Sequence, residues 1–355
     1  MEYKALKDIA KITMGQSPDS SSYNEEKEGL PFFQGNADFG ELYPNERVWC
    51  NEPKKVAEPG DILISVRAPI GALNYAKDKC CIGRGLAAIT IKDEAERNYV
   101  FHLLKARNND LNQKGTGSTF KAIGKNVLEE LAVPQISRDE QQKCMDMMDL
   151  LESIIRERKS QLDKLDELIK ARFVEMFGDP MLNPKNFVVK TIDQVAVLNK
   201  GITYSPKDVA DNGMIVLRSS NIKGNVFDLE DLVKITKKVS SDKYVQENDI
   251  LMCNRNGSAR LVGKVAMIPK LKENMTFGTF MTIVRSDIYE YLFAFFQTKA
   301  FREQIKFQTA VAINQISLPL LASVKVPIPP NELIDEFADF VKQVDKSKVV
   351  ALKAA

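Results

Sequence analysis

"PGDILISVRAPIGALNYA" (59–76) is echoed much later in the chain by "ENDILMCNRNGSARLVGKVA" (247–266). In both stretches Asp-Ile-Leu is followed by an arginine six positions after the aspartate, and then by glycine and a second apolar run. Asp61 and Asp249 are 188 positions apart (249 − 61), and the two arginines keep the same separation. Short apolar runs between Gly, Pro and Asn predict a strand, a turn and a second strand. The echo therefore predicts that one fold occurs twice in this chain.

Three further echoes follow the same order along the chain, with separations of 186, 185 and 193 positions. Loops of different length would produce such a drift, and four echoes in one order are hard to obtain by chance. The second of the three sets Asn36 against Asn221, and the third sets Pro134 against Pro327. The paired stretches are "DIAKITMG" (8–15) with "QVAVLNKG" (194–201), "LPFFQGNADFG" (30–40) with "IVLRSSNIKGN" (215–225), and "NVLEELAVPQI" (126–136) with "PLLASVKVPIPP" (319–330).

Each copy is predicted to be a mixed α/β lobe. Runs such as "DILISV", "LAAITI", "DILMC" and "FMTIV" predict short strands between turn residues. Near the end of each lobe, "NYVFHLLKAR" and "YEYLFAFFQTKAFREQI" predict apolar helices. We expect these helices to cover one face of a curved sheet.

A long helix is predicted between the lobes, because residues 138–177 contain neither Gly nor Pro. Ser137 is the expected N-cap, with Glu140 completing a capping box, and Gly178 ends the helix. Roughly 40 helical residues span about 60 Å, and so long a helix needs a partner for its apolar seam. The seam alternates at spacings of three and four through Met148, Leu151, Ile155, Arg158, Leu162, Leu165, Ile169, Arg172 and Met176.

The second copy supplies the expected partner helix after Pro330. One face of this second helix carries Leu333, Phe337, either Phe340 or Val341, and Val344. The first helix leads from lobe one to lobe two, and a shared seam requires the second helix to run back. The sequence thus predicts an α+β protein of two similar mixed α/β lobes, joined by two long antiparallel helices and related by a pseudo-two-fold internal repeat. The predicted segments are the first lobe (1–137), the central helix (138–178), the second lobe (179–330) and a shortened second helix (331–355).

Composition indicates a globular protein in a reducing compartment. Hydrophobic residues make up 44% and charged residues 28% of the 355 residues, as in typical soluble domains. No run approaches the roughly 20 apolar residues that a membrane span needs, and the N-terminus lacks a signal-peptide core. Five cysteines without metal-like spacing favour free thiols in the cytoplasm. The single histidine, His102, is expected to be structural.

The net charge of +2 is weak support for a nucleic-acid partner, but the charge is unevenly distributed. Residues 185–330 contain 20 Lys and Arg against 13 Asp and Glu, whereas residues 1–137 contain 18 against 19. A nucleic-acid partner would therefore be bound more strongly, and with a steeper salt dependence, by the second lobe.

Motifs for catalysis are missing. An adenine methyltransferase needs a Gly-rich cofactor loop and an Asn/Asp-Pro-Pro-aromatic tetrapeptide, but "IPPNE" (328–332) has the wrong neighbours. "KGTGST" (114–119) lacks the Gly-Lys-Ser/Thr of a P-loop. "PDSSSYNEEK" (18–27) has charged residues in the order of a nuclease site, but in a Ser-rich loop rather than a rigid hairpin. We therefore expect no catalytic residue and no metal ligand in this chain.

"LDKLDELIKARFVEMFGDP" (162–180) resembles the central conserved region of the specificity subunits of type I restriction–modification systems. The lobe-helix-lobe-helix order and the Val-Pro before each helix extend this resemblance over essentially the whole chain. It implies a non-catalytic subunit whose two target recognition domains each bind half of a split, asymmetric site in double-stranded DNA. It also implies that the helices space the lobes and bind two methyltransferase subunits, which restriction subunits join. S-adenosylmethionine, ATP and Mg would belong to those partners, and this chain would hold no cofactor.

Polar loops in both lobes carry candidate DNA-binding residues, since Arg and Asn suit guanine and adenine edges and Lys and Ser suit phosphates. We favour phosphate or structural roles for Arg67 and Arg255, because a residue repeated in both lobes is poorly suited to two different half-sites. Asn256 and Arg260 are not repeated and are better candidates for base contacts. The candidates are Arg67, Arg84, Lys114, Ser118, Thr119 and Lys121 in lobe one, and Arg218, Asn221, Asn254, Arg255, Asn256, Arg260 and Asn314 in lobe two.

The central helix is expected to bind methyltransferase subunits through apolar residues that its seam leaves exposed. The candidates for this contact are Leu162, Leu165, Ile169, Phe173, Met176 and Phe177. The second helix departs from the family because it stops short of a close like "MFGDP", so unequal methyltransferase binding or self-association through a bare stripe is expected. Two alternatives stay open: a scaffold or solitary DNA-binding protein without methyltransferase partners, and a solitary DNA-modifying enzyme, which the missing motifs disfavour.

Overall fold

The structure, a computed structural model, describes residues 2–117, 121–306 and 315–353. It divides into two compact units, Met1–Ile155 and Arg156–Ala355. The boundary lies inside the long helix, so each unit contains one lobe and part of that helix. Within the described ranges, no helix is long and apolar enough to cross a membrane.

The first unit consists of short strands and short helices, followed by one long helix that continues into the second unit. Its strands are β1 (Glu2–Ala5), β2 (Lys11–Met14), β3 (Tyr23–Asn24), β4 (Leu30–Phe33), β5 (Trp49–Cys50), β6 (Val56–Ala57), β7 (Ile62–Ser65), β8 (Leu73–Tyr75), β9 (Cys80–Ile82), β10 (Leu86–Thr90) and β11 (Ala132–Gln135). Its helices are α1 (Leu6–Ile9), α2 (Glu94–Ala106), α3 (Asn108–Gln113), α4 (Lys125–Glu129) and α5 (Arg138–Phe177).

The second unit repeats this plan after the end of α5. Its strands are β12 (Val188–Thr191), β13 (Val197–Lys200), β14 (Val209–Ala210), β15 (Met214–Leu217), β16 (Ile222–Lys223), β17 (Val226–Phe227), β18 (Val233–Ile235), β19 (Ile250–Cys253), β20 (Val265–Met267), β21 (Met275–Phe277), β22 (Met281–Arg285) and β23 (Lys325–Ile328). Its helices are α6 (Tyr289–Phe296), α7 (Lys299–Lys306), α8 (Leu318–Ser323) and α9 (Asn331–Lys353).

The two lobes share the topology of their main sheets. Lobe one has an antiparallel sheet in the order β2-β10-β7-β8, and lobe two has β13-β22-β19-β20. Each lobe adds a second sheet with one parallel pair, β4 with β9 and β15 with β21. Each lobe also has an equivalent two-stranded sheet, β1-β11 or β12-β23, and lobe two has a further pair, β16-β17. The predicted repeat of two mixed α/β lobes is therefore confirmed.

The repeated Asp-Ile-Leu marks a turn that both lobes use to enter a buried strand. Asp61 accepts a hydrogen bond from the Glu58 N–H (2.9 Å), and Asp249 accepts one from the Gln246 N–H (2.7 Å). The residue before each aspartate has a positive φ, which Gly and Asn tolerate best. The aspartate recurs because it satisfies a backbone donor in this turn, which is a structural role.

A second structural repeat lies at the two-stranded sheets. Pro134 pairs with Tyr3, and Pro327 pairs with Val189. The proline carbonyl oxygen accepts a hydrogen bond from the Tyr99 hydroxyl in lobe one (3.3 Å) and from the Tyr291 hydroxyl in lobe two (2.5 Å). The predicted equivalence of the prolines is confirmed, and the tyrosine pair is one that the sequence analysis missed.

The predicted equivalence of Asn36 and Asn221 is wrong. Asn221 Oδ1 accepts the Arg218 N–H (2.8 Å), and Asp38 Oδ2 accepts the Gly35 N–H (3.2 Å), each three residues earlier. The counterpart of Asn221 is therefore Asp38. The register slips because lobe one has one more residue between β4 and this turn than lobe two has after β15.

Helix α5 begins as predicted, because Glu140 Oε2 accepts the Ser137 N–H (2.9 Å) in a capping box. In the second unit it packs against α9. Arg172 pairs with Glu336 (2.7 Å), and Asp166 pairs with Lys348 (2.7 Å). Earlier positions on one helix thus meet later positions on the other, so the two segments run antiparallel.

Candidate nucleic-acid interface

Two predicted arginines occupy equivalent places just after strands β7 and β19. Arg67 forms an antiparallel bridge with Ala122, and Arg255 forms one with Gln315. Both arginine side chains are exposed. The predicted equivalence of Arg67 and Arg255 is confirmed, because each arginine pairs with a residue that lies just before the last short helix of its lobe, α4 or α8.

In the first lobe, Arg67 and Arg84 line one cleft of about 230 Å³. The loop after β4 contributes Gln34 and Asn36 to the same cleft. Arg, Gln and Asn are the side chains that pair with guanine and adenine edges. The structure thus brings together two predicted residues and adds two that the sequence analysis missed. The signal for the missed pair was the polar run "QGNAD" (34–38) directly after a buried strand.

Of the two lysines predicted for lobe one, Lys121 lies next to a residue of this cleft. Lys114 and Lys121 are both exposed, and the Lys121 carbonyl oxygen accepts the Ala68 N–H at 3.0 Å. Exposed lysines near a polar cleft suit phosphate contacts. The predicted residues Ser118 and Thr119 lie outside the described residues.

In the second lobe, the corresponding strand end is aromatic and cationic. The guanidinium carbon of Arg255 lies 5.0 Å from the centroid of the Phe280 ring. Phe280 is 53% exposed, so its ring is accessible beside the polar loops. This ring and this arginine therefore form a distinct surface at the end of β19.

A half-buried lysine supports the loop beside that surface. Lys264 Nζ donates to the carbonyl oxygens of Ser219 (2.5 Å) and Ile222 (2.9 Å), and burial lowers its pKa. Burial raises the pKa of the neighbouring Cys253 thiol, which makes that thiol a poor nucleophile. Among the residues with described positions, no group of three or more His, Cys, Asp or Glu could hold a metal ion.

Two predicted DNA contacts in lobe two are wrong in this geometry, because the side chains are buried. Asn221 is 0% exposed, and its Nδ2 donates to the carbonyl oxygens of Asp228 and Asp231. Asn254 is 7% exposed and donates to the Thr282 hydroxyl. Residue type alone suggested base contacts, but both amides hold their own lobe together.

Arg218 is also engaged within its lobe. Its Nη2 donates to both carboxylate oxygens of Asp231, each at 2.8 Å, so its charge is paired locally. Arg260 is exposed in a short turn, and half-buried Asn256 donates to the Ser219 hydroxyl (3.2 Å). The roles of Arg260 and Asn256 as base contacts stay predictions. Asn314 lies outside the described residues.

The predicted methyltransferase contact near the end of α5 is wrong for three of its six residues. Phe173, Met176 and Phe177 are 2%, 6% and 3% exposed and belong to the core of the second unit. The Phe173 and Phe177 rings pack against Phe337 of α9 at 5.7 and 5.3 Å between centroids. The remaining candidates, Leu162, Leu165 and Ile169, are half-buried.

Most of the exposed apolar residues of α5 lie instead in the first unit, although Leu168 and Val174 are exposed in the second. We call it the helix stripe, and its residues are between 42% and 63% exposed. A different face of this part of α5 contacts α2, where Lys105 pairs with Glu152 (2.7 Å). An exposed apolar stripe of this kind is common at protein interaction sites. The helix stripe consists of Met147, Met148, Leu150, Leu151 and Ile155.

The family profile "Type I restriction modification DNA specificity domain" matches residues 1–165 and 184–353. The chain therefore belongs to this family. Each match covers one lobe and all or most of the helix that follows it, so the internal repeat is a repeat of the family domain.

Individual relatives are similar over part of their length. A Methanocaldococcus jannaschii protein, provisionally named the specificity subunit of type I restriction enzyme MjaX, is 46% identical over 45% of this chain and 38% of its own length. The MjaIX specificity subunit of the same organism is 23% identical over 76% of this chain and 69% of its own length. The solved HsdS subunit from Thermoanaerobacter tengcongensis is 44% identical over 43% of this chain and 37% of that chain, with a TM-score of 0.39. The chain thus spans well under half of the length of two of these relatives.

Proposed function

We propose that this chain is the DNA-recognition subunit of a type I restriction–modification enzyme and that partner subunits carry the catalysis. One observation carries the proposal: two lobes with one topology present different side chains at the same strand ends. Arg84 of lobe one corresponds to Thr279 of lobe two, and Gly85 corresponds to Phe280, because the following strands β10 and β22 pair identically with β7 and β19. A shared frame with different exposed groups suits a split site whose halves differ in sequence.

The division of labour within each lobe follows from the chemistry of the side chains. Lysines such as Lys114 and Lys121 would contact phosphates, which positions the lobe on the duplex without reading sequence. The cleft with Arg67, Arg84 and Asn36 would contact base edges. The helices α5 and α9 would set the distance between the two half-sites.

The partners of this chain would be double-stranded DNA, two methyltransferase subunits and, in the full complex, restriction subunits. Those subunits would bind S-adenosylmethionine, ATP and Mg, and the assembly would work in the cytoplasm. We place a methyltransferase contact on the helix stripe, because the three aromatic and methionine candidates at the end of α5 are buried. Self-association of this chain through the same stripe is the alternative outcome.

The test is to express the chain with a methyltransferase subunit in a host that lacks adenine methylation, and to map N6-methyladenine across the genome. We expect methylation in one bipartite, asymmetric sequence with a fixed spacer, and only when this chain is present. Arg84→Ala should relax the sequence of one half-site and leave the other unchanged. Lys7→Ala, which removes an exposed lysine outside the cleft, is the matched control.

Three results would contradict the proposal. The same methylation pattern without this chain would place recognition in the methyltransferase. DNA binding without any effect on methylation would indicate a solitary DNA-binding protein. Assembly with the methyltransferase but no change in site choice for any cleft variant would indicate a scaffold.

A further inference from the structure

The strand ends that carry Arg67 and Arg255 differ in one neighbouring residue. In lobe one this neighbour is Gly85, where a Cβ atom would lie 2.4 Å from the Gln34 carbonyl oxygen. No side chain fits there while the loop after β4 keeps its path. The loop after β15 in lobe two is one residue shorter, and Phe280 occupies the corresponding position.

Phe280 and Arg255 contact each other through both backbone and side chain. The Phe280 carbonyl oxygen accepts the backbone N–H of Asn254 (2.9 Å) and of Arg255 (3.3 Å). The Arg255 guanidinium lies over the Phe280 ring at 5.0 Å. Stacking on a ring engages the face of a guanidinium, whereas its N–H donors lie in its plane. The ring therefore restricts the orientation of the arginine without consuming its hydrogen-bond donors.

A restricted orientation of the guanidinium is more useful for a contact with a base edge than for a contact with a phosphate. A phosphate accepts a positive charge from many directions, and a lysine serves nearly as well. A guanine edge requires two parallel N–H donors aimed at O6 and N7, so a guanidinium with a defined plane is needed. In lobe one, the cleft around Arg67 is lined by a second arginine and by amides rather than by a ring.

We propose that Arg255 is a sequence-determining contact of the second lobe, which pairs with a guanine edge in duplex DNA, and that Phe280 is its positioning residue. The proposal rests on the proposed DNA-recognition function. It separates Arg255 from Arg67, for which a shared phosphate or structural role was expected from the sequence. The equivalent arginines of the two lobes then have different roles, and the difference follows from the neighbouring residue, Gly85 in lobe one and Phe280 in lobe two.

The test uses the full chain with its methyltransferase subunit and a library of duplexes in which both half-sites are randomised. Bound duplexes are sequenced for the wild type and for Arg255→Lys, Phe280→Leu and Phe280→Tyr. Val226→Ala, which truncates another exposed apolar residue of lobe two, is the control. The half-site bound by lobe one is an internal reference for binding in every sample, and circular dichroism of each variant checks that lobe two is folded.

We expect the wild type to enrich guanine at one position of one half-site. Arg255→Lys keeps the charge but loses the paired donors, so this preference should fall by roughly 5- to 100-fold while total binding falls much less. Phe280→Leu should lower the same preference by roughly 2- to 5-fold, and Phe280→Tyr should retain it. The Val226→Ala pattern should match the wild type.

An unchanged guanine preference in both Arg255→Lys and Phe280→Leu would overturn the inference and assign Arg255 to a phosphate. Loss of preference in Arg255→Lys with no effect of Phe280→Leu would overturn the positioning role of the ring. If the wild type enriches no sequence at all, the proposed function itself fails, and that result is distinct from both.

Discussion

Asp61 and Asp249 occupy the same turn in the two lobes, but their charges meet different surroundings. In lobe two, the Arg285 guanidinium donates to both oxygens of Asp249, each at 2.7 Å, and this pairing raises the pKa of Arg285. In lobe one, the corresponding strand position holds Thr90, which offers one hydroxyl. Burial raises the pKa of Asp61, and the hydrogen bonds from the Glu58 N–H and from Thr90 oppose that rise only in part.

The comparison shows that a residue repeated in both lobes can keep the same role in the backbone turn while the charges around its side chain differ. Both aspartates satisfy the same donor in the same turn, which explains why Asp-Ile-Leu recurs. Lobe two neutralises the buried carboxylate with an arginine, whereas lobe one tolerates it at the cost of desolvation. The two lobes should therefore respond differently to equivalent substitutions.

The largest expected difference lies between the two ends of helix α5. Phe173→Ala should lower the free energy of unfolding of the second unit by about 3–5 kcal/mol, because it leaves a cavity among Phe177, Tyr291 and Phe337. Leu151→Ala on the helix stripe is the matched control and should change stability by less than about 0.5 kcal/mol. Urea unfolding followed by far-ultraviolet circular dichroism measures both.

Trp49 gives a probe that is specific to one unit, since it is the single tryptophan and is buried in lobe one. The Phe173→Ala transition should move in circular dichroism and stay in place in tryptophan fluorescence. Equal losses for Phe173→Ala and Leu151→Ala would contradict the assignment of the helix end to the core of lobe two.

The second difference concerns the buried charges. Arg285→Ala should destabilise lobe two by about 3 kcal/mol, because it leaves the Asp249 carboxylate buried without its partner. Thr90→Ala should destabilise lobe one by only about 1 kcal/mol, the usual cost of one lost hydrogen bond. The first change should appear in circular dichroism alone and the second in Trp49 fluorescence. A larger effect from Thr90→Ala would refute the electrostatic contrast between the lobes.

The smallest effect is a pH dependence confined to lobe one. Because the folded pKa of Asp61 lies above its usual 3.8, the folded state holds this proton to higher pH than the unfolded state. The contribution of Asp61 to stability is therefore largest below the unfolded pKa and is lost as pH rises through the folded pKa. Asp61→Asn should remove this dependence and change stability near neutral pH by less than about 1 kcal/mol, since its amide oxygen can still accept the Glu58 N–H.

Trp49 fluorescence in urea, recorded between about pH 4 and pH 7, measures the stability difference between wild type and Asp61→Asn. The wild type should lose stability relative to the variant as the pH rises. A difference that stays constant over this range would show that Asp61 keeps an ordinary pKa in the folded lobe.

Much of the fold of the two lobes could be predicted from the sequence, because the repeated residues stabilise the same backbone turns and strand ends in both. The 188-residue echo correctly paired Asp61 with Asp249 and Arg67 with Arg255. The register around Asn221 failed because a one-residue loop difference moved the turn-capping role to Asp38. No periodicity reveals such a shift.

The candidate site was harder to predict, because exposure depends on what packs against each side chain. Asn221 and Phe173 have residue types suited to binding, yet both are buried within their lobe. The rings that cover Phe173 come from helices α6 and α9, far along the chain. The residue type of Arg218 predicted a DNA contact, but its guanidinium is paired with Asp231 of the same lobe. Conversely, the polar run at 34–38 marks Gln34 and Asn36 as a loop, but their place beside Arg67 becomes visible only in the structure.

The glycine at position 85 has a consequence for how this protein could diversify. Its missing side chain is linked to the extra residue in a distant loop, since a Cβ there would collide with the Gln34 carbonyl oxygen. A lineage that gained a bulky residue at this position would first have to lose the loop residue, because the side chain does not fit while the loop keeps its path. Half-site preference in such lobes would then change in jumps rather than by single substitutions, and the paired insertion and glycine would be inherited as one unit.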